Sequence, residues 1–366
     1  MRIAVFCHSL ASDWNHGNAH FLRGIVAELQ ERGHDVAVHE PRHGWSRRHL
    51  LAEHGEVALG AFRETFPSLR TRLYDLDELE PARLVDGADL VLVHEWTDPW
   101  LVAELGRARA AGGYRLLFHD THHRAVTKPD EMERYDLSAY DGVLAYGAVL
   151  RDTYLDRGWA ARAWTWHEAA DTRVFYPRAA GADGDLVWIG NWGDGERTKE
   201  LHEFLLEPAA GLRLRGFLHG VRYPEAAVKA VARAGLVYRG WVANHEVPRL
   251  FAENRVTVHV PRRPYVESLP GIPTIRPFEA LACGIPLVCS PWEDAEGLFT
   301  PGRDYLVARD GREMTKLLRE LLADGDLRGS LAEHGRRTIL ARHTCAHRVD
   351  ELLAIVEELR PAEAVA

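Results

Sequence analysis

Histidines crowd one loop of the chain, in the run His119-Asp120-Thr121-His122-His123. Imidazole and carboxylate groups are common ligands of zinc and iron, so this run raises the question of a metal site. Its spacing does not match the H-E-x-x-H pattern of zinc enzymes, and no second cluster is evident beyond His167-Glu168. The sequence therefore predicts no metal site, although a metal-dependent hydrolase built on residues 119–123 is an open alternative.

A second run combines glycines with basic residues, over residues 190–199 (GNWGDGERTK). Glycines allow a backbone to approach a ligand closely, and Arg197 and Lys199 stand where a helix is predicted to begin. The spacing is G-x-x-G-x-G rather than the G-x-G-x-x-G of dinucleotide-binding loops, and no acidic residue ends the next strand. Two interpretations remain open, a phosphate contact and ordinary surface charge.

A third run, PGIPTIRPFEALACG over residues 270–284, places a glycine loop before a predicted helix. The free backbone N–H groups and the dipole of a helix start favour anions, so this loop could hold a diphosphate. Glu279 in the helix would, on its own, merely favour the positive end of the dipole. The candidates for an anion contact are Gly271, Ile272, Thr274 and Arg276.

The elements that must position these residues alternate along the chain. Apolar runs that predict strands, at 1–8, 35–40, 88–94, 114–119 and 142–145, are separated by helix-length segments, and only the stretch 42–77 is irregular. Strands that alternate with helices predict a parallel sheet with helices on both faces.

The alternation stops at residues 177–185 (PRAAGADGD), which are small and polar, and then starts again. The sequence thus predicts an α/β fold with two Rossmann-like doubly wound domains facing a central cleft. We expect an N-terminal domain over 1–178, a second domain over 185–345, and C-terminal helices. The last helix, 346–366, could pack back on the N-terminal domain.

Composition limits the partners and the compartment. The 366 residues carry 45 Lys and Arg against 54 Asp and Glu, a formal charge of -9, which disfavours nucleic acid as a partner. The four cysteines lack metal-finger spacing and indicate reduced thiols. No signal peptide or transmembrane segment is recognisable, so we expect a cytoplasmic protein.

Four strings, considered together, resemble group 1 glycosyltransferases of the GT-B type, and most closely their CgeB-like branch. The resemblance extends over most of the chain. It depends more on the order and spacing of the strings than on any single string. The strings are residues 1–41 with the turn RGHDV, 170–177 (ADTRVFYP), 276–288 (RPFEALACGIPLV) and 336–348 with HTCAHR.

The resemblance implies a nucleotide-sugar donor bound by the second domain. Glu279 would accept hydrogen bonds from the donor ribose, and Arg197 and Lys199 would face the diphosphate. The base would lie near backbone groups of Gly240 and Val242.

One departure from the family pattern concerns the transferred sugar. Many members carry a second glutamate about two helical turns before the ribose glutamate, where this chain has Gly271. A sugar contact by that carboxylate therefore does not carry over. Glu267 could supply the missing carboxylate, or it could be a solvated glutamate in a loop.

Catalysis, by the same resemblance, would involve histidines of the first domain. Some inverting members use a histidine of an early loop, oriented by an aspartate, to deprotonate the acceptor. His20 and Asp120 fit these roles, because both belong to the same edge of a parallel sheet. His119 and His122 are rivals, since a histidine of that loop contacts the transferred sugar in many members, and a buried structural role is the alternative for His20.

We therefore expect a hexosyltransferase-like enzyme that moves a sugar from a nucleotide-sugar to a small-molecule or glycan acceptor. The D-x-D strings at 75–77 and 183–185 match the string by which GT-A glycosyltransferases hold a metal and a diphosphate, but such strings arise easily in acidic turns. We therefore expect no metal ion and no cofactor. The alternatives are a sugar-nucleotide epimerase or phosphorylase of the same fold, and a nucleotide-binding protein without catalytic activity.

Overall fold

The computed structural model describes residues 1–181 and 183–359, which divide into two units. The first unit contains residues 1–168 and returns at 345, and the second contains residues 169–344. Residues 169–181 thus pack with the second unit, although the composition of residues 177–185 predicted the boundary there. The end of the predicted helix 346–366, from residue 360 onward, lies outside the described residues.

The first unit is built on a seven-stranded parallel sheet in the order β3-β2-β1-β4-β5-β6-β7. Its central strands are almost wholly apolar (RIAVF in β1 and LVLVH in β4), as expected for a sheet covered on both faces. The strands are β1 (Arg2–Phe6), β2 (Asp35–Pro41), β3 (Thr71–Tyr74), β4 (Leu90–His94), β5 (Arg115–Asp120), β6 (Gly142–Ala145) and β7 (Ala163–Thr165).

Helices connect these strands and cover the sheet. In α1 the apolar side chains Phe21, Leu22, Ile25 and Leu29 recur at helical spacing and are buried. The helices are α1 (Ala19–Glu31), α2 (Trp45–Thr65), α3 (Pro81–Leu84), α4 (Pro99–Gly112), α5 (Arg124–Thr127), α6 (Pro129–Met132) and α7 (Ala148–Asp156). The irregular stretch 42–77 therefore contains α2 and the edge strand β3.

The second unit repeats the architecture with a six-stranded parallel sheet in the order β10-β9-β8-β11-β12-β13. Its strands are β8 (Gly184–Ile189), β9 (Gly216–His219), β10 (Val237–Tyr238), β11 (Asn254–His259), β12 (Leu287–Cys289) and β13 (Leu306–Val307). Its helices are α8 (Thr198–Leu201), which continues through a π-helical turn (His202–Leu206) into α9 (Glu207–Leu212), α10 (Glu225–Arg233), α11 (Val247–Ala252), α12 (Arg263–Glu267), α13 (Ile275–Cys283), α14 (Gly311–Ala323) and α15 (Gly325–Arg342).

The last helix, α16 (Cys345–Glu358), belongs to the first unit, where it packs on α1. Arg32 forms an ion pair with Asp350, and the Trp166 indole donates to the carbonyl oxygen of Arg348 (2.8 Å). None of the helices that the structure describes combines the length and the apolar character needed to cross a membrane.

Each sheet has one point where the winding reverses. β1 lies between β2 and β4, and β8 lies between β9 and β11. In doubly wound sheets ligands bind at the carboxyl ends of the strands beside such a switch point. The candidate ligand-binding loops are therefore those after β1 and β4 in the first unit, and those after β8 and β11 in the second.

Candidate functional site

Arg197 lies at the switch point of the second unit. Its guanidinium donates to the Val260 carbonyl oxygen (2.7 Å) and to the carbonyl and side-chain oxygens of Asn191 (2.8 and 2.9 Å). Gly193, with φ 92°, leaves room for this side chain, because a Cβ there would lie 2.9 Å from the Arg197 Cγ. The loops after β8 and β11 together hold the guanidinium in place.

Arg262 converges on the same asparagine. Its Nη2 donates to Asn191 Oδ1 (3.1 Å), and its Nη1 forms an ion pair with Glu196 (3.2 Å). Burial, followed by the charge of Arg262, lowers the pKa of Arg197 to about 9, and Arg276 adds to this effect. A bound anion would relieve the repulsion between these guanidinium groups.

Glu279 is fully buried on α13, and its carboxylate has cationic and amide partners. It forms an ion pair with Arg276, and it accepts a hydrogen bond from Asn244 Nδ2 (2.7 Å). Three of the predicted features, the helix start, Arg276 and Glu279, are thus adjacent. The side chain of Arg276 is 15% exposed, so its guanidinium reaches the surface beside a buried carboxylate.

His259, at the end of β11, joins the two parts of this site. Its Nε2 lies 3.1 Å from the hydroxyl of Thr274, which precedes α13. Burial and the charges of Arg197 and Arg276 lower the pKa of His259 to about 3, so the imidazole is neutral. Arg197, Arg262 and Arg276 are called here the arginine group, because the charges of Arg262 and Arg276 both lower the pKa of Arg197.

The remaining predicted loop residues are placed as follows. Gly271 has φ 86°, and its N–H donates to the Glu293 carbonyl oxygen (2.7 Å), while Ile272 is buried. Gly240 has φ 72°, and its carbonyl oxygen accepts from the Gly220 N–H (2.8 Å). Val242 is half-buried. Their contacts with a donor remain predictions.

Lys199 is placed apart from the arginine group. It is exposed on α8 and lines a depression of about 590 Å³ together with His202, Glu203 and Asp310. Arg197, two residues earlier, lies instead among backbone atoms of the switch-point loops. The two basic residues that the sequence paired have different surroundings.

In the first unit, the histidine run points its rings in different directions. The ring of His119 packs on His94 (5.3 Å between centroids) and on Trp166 (4.8 Å), whereas the ring of His122 packs on Trp96 (5.2 Å). Burial lowers the pKa of His119 to about 3. Among residues 1–181 and 183–359, no three His, Cys, Asp or Glu side chains are arranged to hold a metal ion.

Asp120 is fully buried at the end of β5. Its Oδ1 accepts from the His122 N–H (2.9 Å) and its Oδ2 from the Tyr154 hydroxyl (2.8 Å). His20 is buried in the first turn of α1. Asp120 thus contacts the backbone amide of His122, and the pairing of His20 with Asp120 remains a prediction.

Glu95 forms a buried carboxyl pair with Asp120. It accepts from the Thr121 N–H (3.3 Å) and from Arg124 Nη2 (2.8 Å). Burial, then the charge of Asp120, raises the pKa of Glu95 to about 8, and burial raises the pKa of Asp120. Arg124 is the cationic partner of this carboxyl pair.

Several of these residues were missed from the sequence. Arg262 lies in the short loop after the buried strand β11, and this position is a signal that could have identified it. Asn191 and Asn244 lie in loops where an amide gives no pattern, and the Glu95–Arg124 pair joins residues 29 apart in the chain.

Comparisons with known proteins agree with this architecture. Residues 197–354 match the family model described as glycosyl transferase-like. The curated proteins gave no match to the sequence. Many solved structures match the chain. The three that follow are less than 25% identical to it, so their likeness is evidence for the fold alone.

The chain is similar to sucrose-phosphate synthase (tll1590) from Thermosynechococcus elongatus, with a TM-score of 0.66, 15% identity, and 98% of this chain and 99% of that chain covered. It is similar to Anabaena Alr3699/HepE solved with UDP-glucose (TM-score 0.69, 14% identity, 98% and 100% covered). It is also similar to an alpha-glucosyltransferase (AGT) solved with UDP (TM-score 0.67, 13% identity, 98% and 100% covered). The expected α/β fold with two Rossmann-like units of the GT-B type is confirmed.

Proposed function

We propose that the protein is a glycosyltransferase that uses a nucleotide-sugar donor bound by its second unit. The observation that carries the proposal is the arginine group beside the buried carboxylate of Glu279, at the switch point of the second sheet. Guanidinium groups bind phosphate oxygens through charge-assisted hydrogen bonds, and a carboxylate accepts hydrogen bonds from ribose hydroxyls. The site thus combines the two chemistries that a nucleoside diphosphate requires.

The reaction would proceed by positioning and by charge stabilisation of the leaving diphosphate. Arg197 and Arg262 are the groups we assign to the diphosphate, and the N-terminus of α13 adds a favourable dipole. Because the arginine group supplies fixed positive charge, we propose that transfer needs neither a divalent metal nor a cofactor. Full activity in the presence of EDTA would support this part, and its loss would contradict it.

The acceptor would be activated in the first unit. His20, His119, Asp120 and His122 are the candidates for this step, and a neutral imidazole can take the proton of an acceptor hydroxyl. Burial keeps the pKa of His119 near 3, so its ring is neutral but a weak base. The half-buried His122 is therefore preferred to His119 as the base, and His20 stays a candidate through its place at the start of α1.

We further propose a hexosyl donor and the CgeB-like branch. The hexosyl proposal is supported by the Anabaena structure, which was solved with UDP-glucose. The proposal on the branch rests on the strings at 170–177 and 336–348.

The experiment that tests the proposal is a thermal-shift screen with UDP, GDP, ADP, CDP and TDP, followed by calorimetry on the best ligand. A ligand at 100 times its Kd stabilises the folded protein by about 2.7 kcal/mol, which raises the melting temperature measurably. Arg262→Gln should weaken binding of the nucleoside diphosphate. Arg319→Gln, which changes an exposed arginine on α14, is the matched control. If none of the five nucleotides binds, the proposal is wrong.

A further inference from the structure

Aromatic rings from four loops meet at the carboxyl end of the first sheet. His8 follows β1, Trp45 begins α2 after β2, Trp96 follows β4 and His122 follows β5. Their ring centroids lie 6.3 Å apart for His8 and Trp45, 6.4 Å for His8 and Trp96, and 5.2 Å for Trp96 and His122. We call these four residues the aromatic platform, and it spans the switch point between β1 and β4.

Trp96 is the exposed centre of the platform, and it is held rigidly. Its side chain is 42% exposed, yet the Arg124 guanidinium lies 3.8 Å from its ring centroid. Arg124 in turn donates to the carboxylate and to the carbonyl oxygen of Glu95 (2.8 and 3.0 Å), and the Tyr135 hydroxyl donates to that same carbonyl. A fixed, solvent-facing indole thus rests on a buried ion pair.

This support is costly for the fold. Removing a guanidinium and a carboxylate from water carries a desolvation penalty that their attraction only partly offsets. An exposed tryptophan on its own is ordinary, as Trp100 on α4 shows with 44% exposure. A tryptophan locked by a buried ion pair beside three other rings is the arrangement of a preorganised binding surface.

The charge of the platform selects among ring-shaped ligands. Burial lowers the pKa of His8 to about 4, and its Nε2 accepts from the Ser46 N–H (3.2 Å), so this ring is neutral and its Nδ1 is a donor. The guanidinium of Arg124 faces the carboxyl groups of Glu95 (2.8 Å) and Glu131 (3.6 Å). A platform whose supporting guanidinium is already paired with carboxyl groups, on a chain of formal charge -9, disfavours a polyanion such as a nucleic acid.

We propose that the aromatic platform binds a pyranose ring of the acceptor. The C–H groups on one face of the sugar would stack on Trp96, whose π-face carries negative charge, while the imidazoles of His8 and His122 hydrogen-bond to its hydroxyls. The inference rests on the proposed glycosyl transfer, for which it identifies the acceptor as a saccharide. It adds Trp96 and His8 to the residues that determine specificity.

The test uses the full-length protein and saturation-transfer NMR with maltose, cellobiose, lactose and gentiobiose as probes. We expect at least one disaccharide to receive saturation through the C–H groups of one ring face. Trp96→Ala should weaken that binding tenfold or more, Trp96→Phe should retain part of it, and the matched control Trp100→Ala should bind as the wild type does.

Calorimetry with the best-binding nucleoside diphosphate separates the two claims. If the nucleotide binds to wild type and to Trp96→Ala alike, the variant is folded and the donor site is intact. If none of the four disaccharides then receives saturation, or if Trp96→Ala binds them equally well, the saccharide inference is wrong and the proposed donor site is unaffected. Stacking of a DNA oligonucleotide on Trp96 in place of a disaccharide would also overturn it, whereas absence of nucleotide binding would refute the proposed function.

Discussion

Replacing Glu279 with glutamine tests the donor site at its most buried charge. A hydrogen bond to a charged group contributes about 1.5–3 kcal/mol, so the loss of the carboxylate should weaken nucleoside diphosphate binding by about 10- to 150-fold. The glutamine keeps an oxygen for the Asn244 amide, but it leaves Arg276 without its countercharge.

The same change should also lower stability. Removing one partner of a buried ion pair costs about 3–5 kcal/mol, and the 15% exposure of the Arg276 side chain places the expected cost below that range, because water can reach the guanidinium. Glu279→Ala, which also loses the contact with Asn244, should be less stable than Glu279→Gln. The free energy of unfolding, from denaturant titration, gives the stability effect separately from the binding effect.

The assay is calorimetric titration of the nucleoside diphosphate and of the matching nucleoside into wild type and Glu279→Gln. A control is Glu333→Gln, which changes an exposed glutamate that is also paired with an arginine on its own helix. Both ligands contain ribose, so both should lose affinity by a similar factor in Glu279→Gln only. Unchanged affinity in a folded Glu279→Gln protein would refute the assignment of ribose binding to this residue.

Three further predictions concern charge and proton transfer. Arg197→Gln and Arg262→Gln should weaken nucleoside diphosphate binding far more than nucleoside binding in calorimetry, and equal losses for both ligands would indicate a structural defect. Lys199→Gln, which changes an exposed side chain that lines a different depression, should affect neither ligand. Burial and the charge of Asp120 raise the folded-state pKa of Glu95 from 4.5 to about 8, so stability that is present below pH 4.5 should be lost as the pH rises through 8. Asp120→Asn removes one of these two causes and should flatten the decline in melting temperature between pH 5 and 8.5, whereas an equal decline in the variant would show that Asp120 does not contribute. His20→Ala should keep donor binding while its turnover falls by about 10²–10⁴, and near-normal turnover would transfer the role of base to His122.

The sequence predicted the sheets and their order of alternation because their strands are short, apolar and separated by helices of ordinary length. It did not define residues 42–77, where α2 contains Gly55 in a non-helical conformation (φ 66°, ψ -168°) and β3 is a short edge strand with a charged side chain. Neither element carries the continuous apolar pattern that identifies a buried strand or helix.

The candidate site was predictable where residues are adjacent in the chain. Arg276 and Glu279 are one helical turn apart, so their pairing follows from local geometry. The contacts of Arg197 with Val260 and of Arg262 with Asn191 join residues 63 and 71 positions apart. The support of Trp96 by Arg124 depends on the register of β4 and β5. Such contacts depend on tertiary packing, which no local pattern encodes.

The most direct test of the central claim is release of a nucleoside diphosphate from nucleotide-sugars. The wild type and Arg262→Gln would be incubated with UDP-, GDP-, ADP-, CDP- and TDP-hexoses and a mixture of saccharide acceptors, and free nucleoside diphosphate and new glycosides would be measured by mass spectrometry. The wild type should release one nucleoside diphosphate for each new glycoside, and Arg262→Gln should release much less. Absence of release from every donor, or equal release by the variant, would contradict the central claim.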